Sequence, residues 1–348
     1  VRIMAWTINN GSLFMNPTLY TGNGSTQSIN VGFQPDFTWI KTRSGTTGTE
    51  GHRLQDAVRG STKYLESNGT ALEGTQAQGV TSFTSTGFNL GTDGSYNYNT
   101  APIVSWNWKA GTTSGIVQGG ASITPSAYSF NQTSGFSIIK YQGTGANATV
   151  PHGLNAVPKM ILFKSLANSI SWIVYSSQLN ISSSNCLRLN GTNAAFTESA
   201  WNDTRPTTSV FSLGPHNEAN NSSGETIAYC FADVQGFSKM GSYVGNGSTN
   251  GTFVYTGFKP AFVLYKKSSG TENWFMHDNK RQGYNPDNEY LFPDLSNVEG
   301  SLNRINLLSN GFKATTSDGG INGSGATYIF MAFAENPITS STGVPSTA

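Results

Sequence analysis

Apolar residues in this chain come in short β-branched or aromatic bursts broken by Gly, Asn, Ser and Thr, and no long stretch carries the 3.6-residue stripe of a surface helix. In Ile103-Val104-Ser105-Trp106-Asn107-Trp108-Lys109, Val104, Trp106 and Trp108 share one face and Ser105, Asn107 and Lys109 the other. That alternation predicts a strand with one face inside and one in water. Phe37-Thr38-Trp39-Ile40-Lys41 starts the same way, and similar bursts recur at Lys159 to Phe163, Ser171 to Tyr175, Ile227 to Phe231, Ala261 to Tyr265 and Tyr328 to Ala334. Ser85-Thr86-Gly87-Phe88 and Ser309-Asn310-Gly311-Phe312 predict turns in which glycine supplies a left-handed or open conformation. Asn9-Asn10-Gly11, between Ile3-Met4-Ala5-Trp6 and Leu13-Phe14-Met15, predicts a lead-in hairpin. Together these signals predict an all-β fold of antiparallel sandwiches, lectin- or jelly-roll-like.

The bursts are arranged in three copies of one frame. Tyr20-Thr21-Gly22-Asn23-Gly24 leads through Gly32-Phe33-Gln34-Pro35 to Lys41. Tyr141-Gln142-Gly143-Thr144-Gly145 leads through Gly153 and Pro158 to Lys164, and Tyr243-Val244-Gly245-Asn246-Gly247 through Gly257 and Pro260 to Lys266. Proline and lysine are six residues apart in every copy, whereas the Tyr-to-Pro distance is 15, 17 and 17 residues, so the loop between is where the copies differ. Repetition at this scale predicts three tandem modules. The expected boundaries are a lead-in 1–16, module one 17–110, a flexible linker 111–126, module two 127–241, module three 242–336 and a Ser/Thr/Pro-rich tail 337–348.

Composition narrows the function. Only 11% of the residues are charged, and 20 Lys and Arg are scattered among 19 Asp and Glu, which argues against nucleic acid. No apolar run reaches membrane-spanning length. The chain opens on Val1 without a visible signal peptide, as expected of a processed chain or part of a longer one. The Gly-x-Gly pairs lack the third glycine and following helix of a phosphate loop, and no nucleophile-elbow or zinc-protease string occurs. The histidines His52, His152, His216 and His277 occupy no common module position, although His277-Asp278 loosely matches His52 to Asp56. Asp287/Glu289 and Asp294/Glu299 are the carboxylate pairs a glycosidase would need, but turn capping accounts for them as well. No metal, cofactor or catalytic residue is expected. Cys186 and Cys230 read as buried thiols, with a disulfide as the alternative. Trp39, Trp172 and Trp274 follow the module rhythm and are expected in the core; Tyr96, Tyr98 and Trp201 lie in polar loops and are the candidate surface contacts.

In the first copy, the opening frame is followed by Leu54-Gln55-Asp56-Ala57-Val58-Arg59-Gly60, Thr86-Gly87-Phe88-Asn89-Leu90 and Trp106-Asn107-Trp108-Lys109-Ala110-Gly111. This order resembles a module of tail-fibre and other virion appendage proteins of marine bacteriophages, including those of cyanobacteria. The resemblance covers module one well and the others loosely: module two lacks the Asp-Ala-Val-Arg-Gly element, and module three ends in Phe333-Ala334. It implies a β-sandwich structural protein, extracellular in the virion, often homotrimeric. Its partners would be copies of itself, other virion proteins and a host-surface glycan or envelope protein, and it supplies no catalytic residues. The expected function is therefore a non-enzymatic phage tail fibre or related appendage. The alternatives are a secreted bacterial carbohydrate-binding adhesin, a capsid or neck decoration, and a glycan depolymerase.

Overall fold

The computed structural model of the protein describes residues 8, 10–44 and 50–335. Most of the lead-in apolar segment and the tail 337–348 lie outside the described residues. Module one contributes β1 (Met15–Thr21), β2 (Gln27–Asn30), β3 (Phe37–Thr42), β4 (Arg53–Asp56), β5 (Lys63–Tyr64), β6 (Gly74–Thr75), β7 (Val80–Thr84), β8 (Gly87–Leu90) and β9 (Pro102–Trp108). Module two contributes β10 (Ala127–Asn131), β11 (Phe136–Gln142), β12 (Ala148–Pro151), β13 (Pro158–Ser165), β14 (Ile173–Ser176), β15 (Asn185–Arg188), β16 (Phe196–Thr197), β17 (Val210–Leu213) and β18 (Glu225–Ala232). Module three contributes β19 (Ser238–Val244), β20 (Phe253–Tyr255), β21 (Pro260–Lys267), β22 (Trp274–Asp278), β23 (Asp287–Tyr290), β24 (Gly300–Leu308), β25 (Gly311–Ala314) and β26 (Thr327–Ala334). The fold is all-β, with helix confined to single turns among the described residues.

Each module has an inner sheet of one plan, ordered β1-β9-β3-β4, β11-β18-β13-β14 and β19-β26-β21-β22. In module two that sheet is extended by β10 at one edge and by β15 and β16 at the other. Outer strands complete the sandwiches: β2-β8-β7, β12-β17 and β20-β25-β24-β23. Registers repeat as well, since Trp39 pairs with Trp106, Leu162 with Tyr229 and Leu264 with Met331.

The central strands of the inner sheets, β3 and β9, β13 and β18, β21 and β26, are buried on both faces. One face packs under the module's own outer strands, as Ile40 and Ile103 do with Phe88 and Leu90. The opposite faces of all three inner sheets meet in one continuous apolar core. Trp108 is its hub, with edge-to-face contacts to Phe231 of module two and to Phe262 and Phe333 of module three at 6.3, 5.6 and 5.8 Å. Such pairs add about 0.5–1.5 kcal/mol each beyond area burial. The expected wet face of β9 is therefore dry: Ser105 and Asn107 are buried, and Asn107 donates to Asn16 O and Ser105 Oγ at 3.0 Å.

Two local expectations change. Gly87 and Gly311 do not have positive φ; a Cβ on either would sit 1.8 Å from Ile29 O or 2.1 Å from Val254 O, so close approach of the neighbouring strand demands glycine there. Gly11–Leu13 forms a single 3-10 turn with Gly11 against the carbonyls of Ala334 and Glu335, and the first arm of the expected lead-in hairpin, Ile3 to Trp6, lies outside the described residues. The segment 111–126 runs along module two, where Thr112 pairs with Phe130 and Ile123 enters the core.

Candidate functional site: the module junctions

The repeated Tyr-x-Gly-x-Gly loops are held from within their own modules. Tyr20, Tyr141 and Tyr243 donate their hydroxyls to the carbonyls of Tyr96, Ala219 and Ile321 at 2.8, 2.5 and 2.8 Å. The next residue in each case is a fully buried asparagine: Asn97, Asn220 or Asn322. Its Oδ1 accepts the amide N–H of Asn23, Thr144 or Asn246 inside the glycine loop, at 2.9, 2.7 and 3.0 Å. Its Nδ2 returns hydrogen bonds to backbone carbonyls on both sides, for example Asn322 to Ser248 O and Thr316 O at 2.8 and 2.9 Å. Both glycines are required. A Cβ on Gly22, Gly143 or Gly245 would clash with a carbonyl at 2.1–2.4 Å, and Gly24, Gly145 and Gly247 have φ of +67°, +69° and +69°. The loops are framework, as their lack of phosphate-loop context predicted.

Between modules, three equivalent junctions close a ring. Trp172 Nε1 of module two donates to Glu66 O of module one, and Trp274 Nε1 of module three to Arg188 O of module two, both at 2.8 Å. His52 of module one holds the same place and meets Phe292 O of module three at 2.9 Å. Its Nδ1 accepts from Trp39 Nε1 at 2.8 Å, so Nε2 carries the proton and the ring is neutral; burial and the nearby Lys41 ammonium hold its pKa well below the usual value. The frame lysines belong to the junctions too. Lys164 Nζ reaches across to Thr70 O at 2.9 Å and Lys266 Nζ to Thr192 O at 3.2 Å, while Lys41 Nζ donates to Thr42 O at 3.0 Å. Burial pulls all three ammonium groups down to about 8.

Two junctions carry a buried ion pair where the third is apolar. At the junction of modules one and two, Arg59 Nε donates to Asp56 Oδ2 at 2.5 Å, and Tyr229 OH donates to the same oxygen at 2.6 Å. At the junction of modules three and one, Arg281 Nε donates to Asp278 Oδ2 at 2.6 Å, with Trp106 Nε1 donating at 3.0 Å. Module two has Ser176, Leu179 and Ala195 where module one has Asp56, Arg59 and Glu73 and module three has Asp278, Arg281 and Glu299. Leu179 joins the shared core with Met331, which holds the place of Tyr229 and Trp106.

The two charged junctions differ in how they are filled. Arg43 forks onto Glu299 and Glu289 at 2.8 and 2.9 Å and plugs the junction of modules three and one. Its equivalent at the junction of modules one and two is Leu166: Leu166 O accepts Glu73 N–H as Arg43 O accepts Glu299 N–H. Without that arginine a cleft of about 490 Å³ remains, lined by Arg59, Lys63, Glu73, Lys140, Gln142 and Glu225 above Leu166 and Ala167. Lys140 pairs with Glu225 at 2.9 Å and Lys63 with Glu73 at 3.7 Å.

The residues expected to make surface contacts are placed otherwise. Tyr96 is 1% exposed and accepts from Gln55, and Trp201 is 1% exposed between Phe163 and Tyr175. Tyr98 is half-buried against module one's outer core. Their polar flanks signalled the loop, not the ring's destination. Trp39, Trp172 and Trp274 are core, although Trp39 matches Leu162 and Leu264 in register, not the other two tryptophans. Cys186 and Cys230 are free buried thiols, because β15 and β18 are three ladder steps apart in the sheet, about 14 Å, beyond the ~7 Å reach of a disulfide. Burial pushes both thiols up to about 12. Asp93 caps a helical turn through Ser95 N–H. Of the carboxylate pairs, Glu289 and Glu299 are both bound to Arg43, Asp294 is buried on Trp274 N–H, and the side chain of Asp287 lies outside the described residues. Among the described residues, no group of three His, Cys, Asp or Glu side chains could hold a metal ion. Sequence reading missed the asparagine clasps and the junction pairs; the signal available was the Asp-x-x-Arg spacing shared by Asp56/Arg59 and Asp278/Arg281.

A fold of three fused sandwiches with framework loops and an ion-paired cleft defines a β-scaffold of repeated modules. The profile of one family, described as a domain of unknown function (DUF7483), matches residues 10–337, and the chain belongs to that family. No curated protein matches it.

Proposed function

We propose that this chain is a non-enzymatic structural protein of a bacteriophage virion, a tail fibre or related appendage, and that it contacts the host surface. Its partners in this reading are further copies of itself, as a homotrimer, and other virion proteins. The observation that carries the reading is the ring: three sandwiches fused through one core and clasped at every junction make a rigid building block. Its surface is polar but sparsely charged, and its module-specific differences sit in loops and at junctions, where a rigid scaffold carries recognition. Weak contacts repeated over an appendage would give avidity without a deep pocket.

Immunogold labelling of particles of a phage that encodes the chain tests this reading, together with light scattering of the purified protein and adsorption to host cells. Labelled appendages, a trimer mass and adsorption support it. A stable monomer that neither enters a particle nor adheres to host envelope overturns it.

A further inference from the structure

We propose that the open cleft between modules one and two is a saccharide site that takes a neutral hexose unit. That this sugar belongs to a host-surface glycan rests on the reading above; the cleft's chemistry does not. Three equivalent junctions are built on one plan, and the plugging arginine of the junction between modules three and one is replaced here by Leu166. The opening is also lined by groups peculiar to module two: Lys140, Gln142 and Glu225 stand where module one has Leu19, Thr21 and Pro102 in the same register.

The chemistry of the lining selects the ligand. Arg59 pairs with the buried Asp56 and also reaches Glu73 at 3.4 Å, Lys63 meets the same Glu73 carboxylate, and Lys140 pairs with Glu225, so three cations stand against three carboxylates. The cleft therefore offers no net charge, and an ionic ligand would have to break a pair. A vicinal diol does not: one hydroxyl accepts from an ammonium while its neighbour donates to the carboxylate, and Gln142, whose Nε2 donates to Gly143 O and Ser222 O at 3.2 and 3.0 Å, offers its Oε1 as a further acceptor. Leu166 and Ala167 provide an apolar floor for the C–H face of a ring. A volume of about 490 Å³ lies within the ~300–1,000 Å³ of small-ligand sites. Among the described residues no aromatic ring lines the cleft, so single-site binding is weak and gains from repetition in an assembly.

The test uses saturation-transfer NMR and calorimetry on the whole chain with neutral gluco-, galacto- and manno-oligosaccharides, and with polygalacturonate as the charged counterpart. Leu166→Arg should rebuild the plug on Glu73, and Gln142→Ala trims the rim without touching an ion pair. Saturable binding of a neutral oligosaccharide, weakened at least tenfold by Leu166→Arg and severalfold by Gln142→Ala in variants that keep the parent melting temperature, supports the site. No binding at millimolar sugar, binding of polygalacturonate alone, or neutral-sugar binding indifferent to Gln142→Ala overturns it, whether or not Leu166→Arg folds. A chain found in particles that binds no neutral sugar removes the cleft proposal alone. A chain that binds sugar through the cleft but is absent from particles removes the appendage reading alone.

Discussion

Asp294→Asn should stabilise the protein at pH 8 and leave it unchanged near pH 4. Asn68, Asn190 and Asp294 occupy equivalent positions, accepting the backbone N–H of His52, Trp172 and Trp274 at 2.8, 2.9 and 3.1 Å. Only the third is ionisable. Asp294 is 4% exposed, its Oδ2 has no hydrogen-bond partner, and burial pushes its carboxyl up to about 7. A carboxyl that is raised in the folded state binds its proton more tightly there than in the unfolded chain. Below the unfolded value near 3.8 both states are protonated and nothing is lost; between there and 7 the unfolded chain alone ionises, so stability falls as pH rises. A shift of about three pKa units corresponds to a cost of roughly 4 kcal/mol at pH 8, at ~1.4 kcal/mol per unit. Asparagine keeps the acceptor for Trp274 N–H and removes the charge, but Lys266 loses an attractive neighbour. The net gain expected is about 2 kcal/mol at pH 8. Guanidinium unfolding of parent and variant at pH 4, 6 and 8 reads it directly. A variant no more stable than the parent at pH 8, or a difference that does not shrink toward pH 4, would refute the argument.

Three further outcomes follow from the junctions and clasps. Arg59→Met leaves the buried Asp56 without its cation and should cost about 3–5 kcal/mol in denaturant unfolding, whereas the pair Asp56→Ser with Arg59→Leu, copying Ser176 and Leu179, should recover most of it; equal losses in the single and double variants would contradict the junction equivalence. Asn322→Ala orphans Ser248 O, Thr316 O and the Asn246 amide, which should cost about 3 kcal/mol and speed hydrogen exchange at Asn246 and Gly247 before the rest of module three; uniform exchange would argue against a local clasp. Cys186 and Cys230 should resist a thiol reagent at pH 8 in the native protein and both react in guanidinium without reductant, as mass spectrometry would register; a native disulfide would show as no reaction in either state.

The strands, the three-fold recurrence and the glycine frame are legible in the order of residues alone. Those features are local: alternation of apolar and polar side chains follows from the two-residue period of a strand, and the Tyr-x-Gly-x-Gly spacing follows from the turn it must make. The order of residues could not tell that Ser105 and Asn107 are dry, because a polar residue on one face predicts water unless another layer covers it, and no local pattern shows that the outer strands fold over that face. The same holds for Tyr96 and Trp201, whose polar neighbours stay outside while the rings turn inward.

The ring exists only through contacts between modules. His52, Trp172 and Trp274 share no chemistry that a repeat search would align, yet each offers a ring N–H at one place to a carbonyl of the neighbouring module. Lys41, Lys164 and Lys266 were visible as a spacing, but their burial became visible only once the modules closed on one another. The open cleft is a difference between junctions, set by Leu166 in place of an arginine more than a hundred residues away in the chain. Pairings of that kind depend on which surfaces meet, and an apolar strand face specifies that it must be covered without specifying by what.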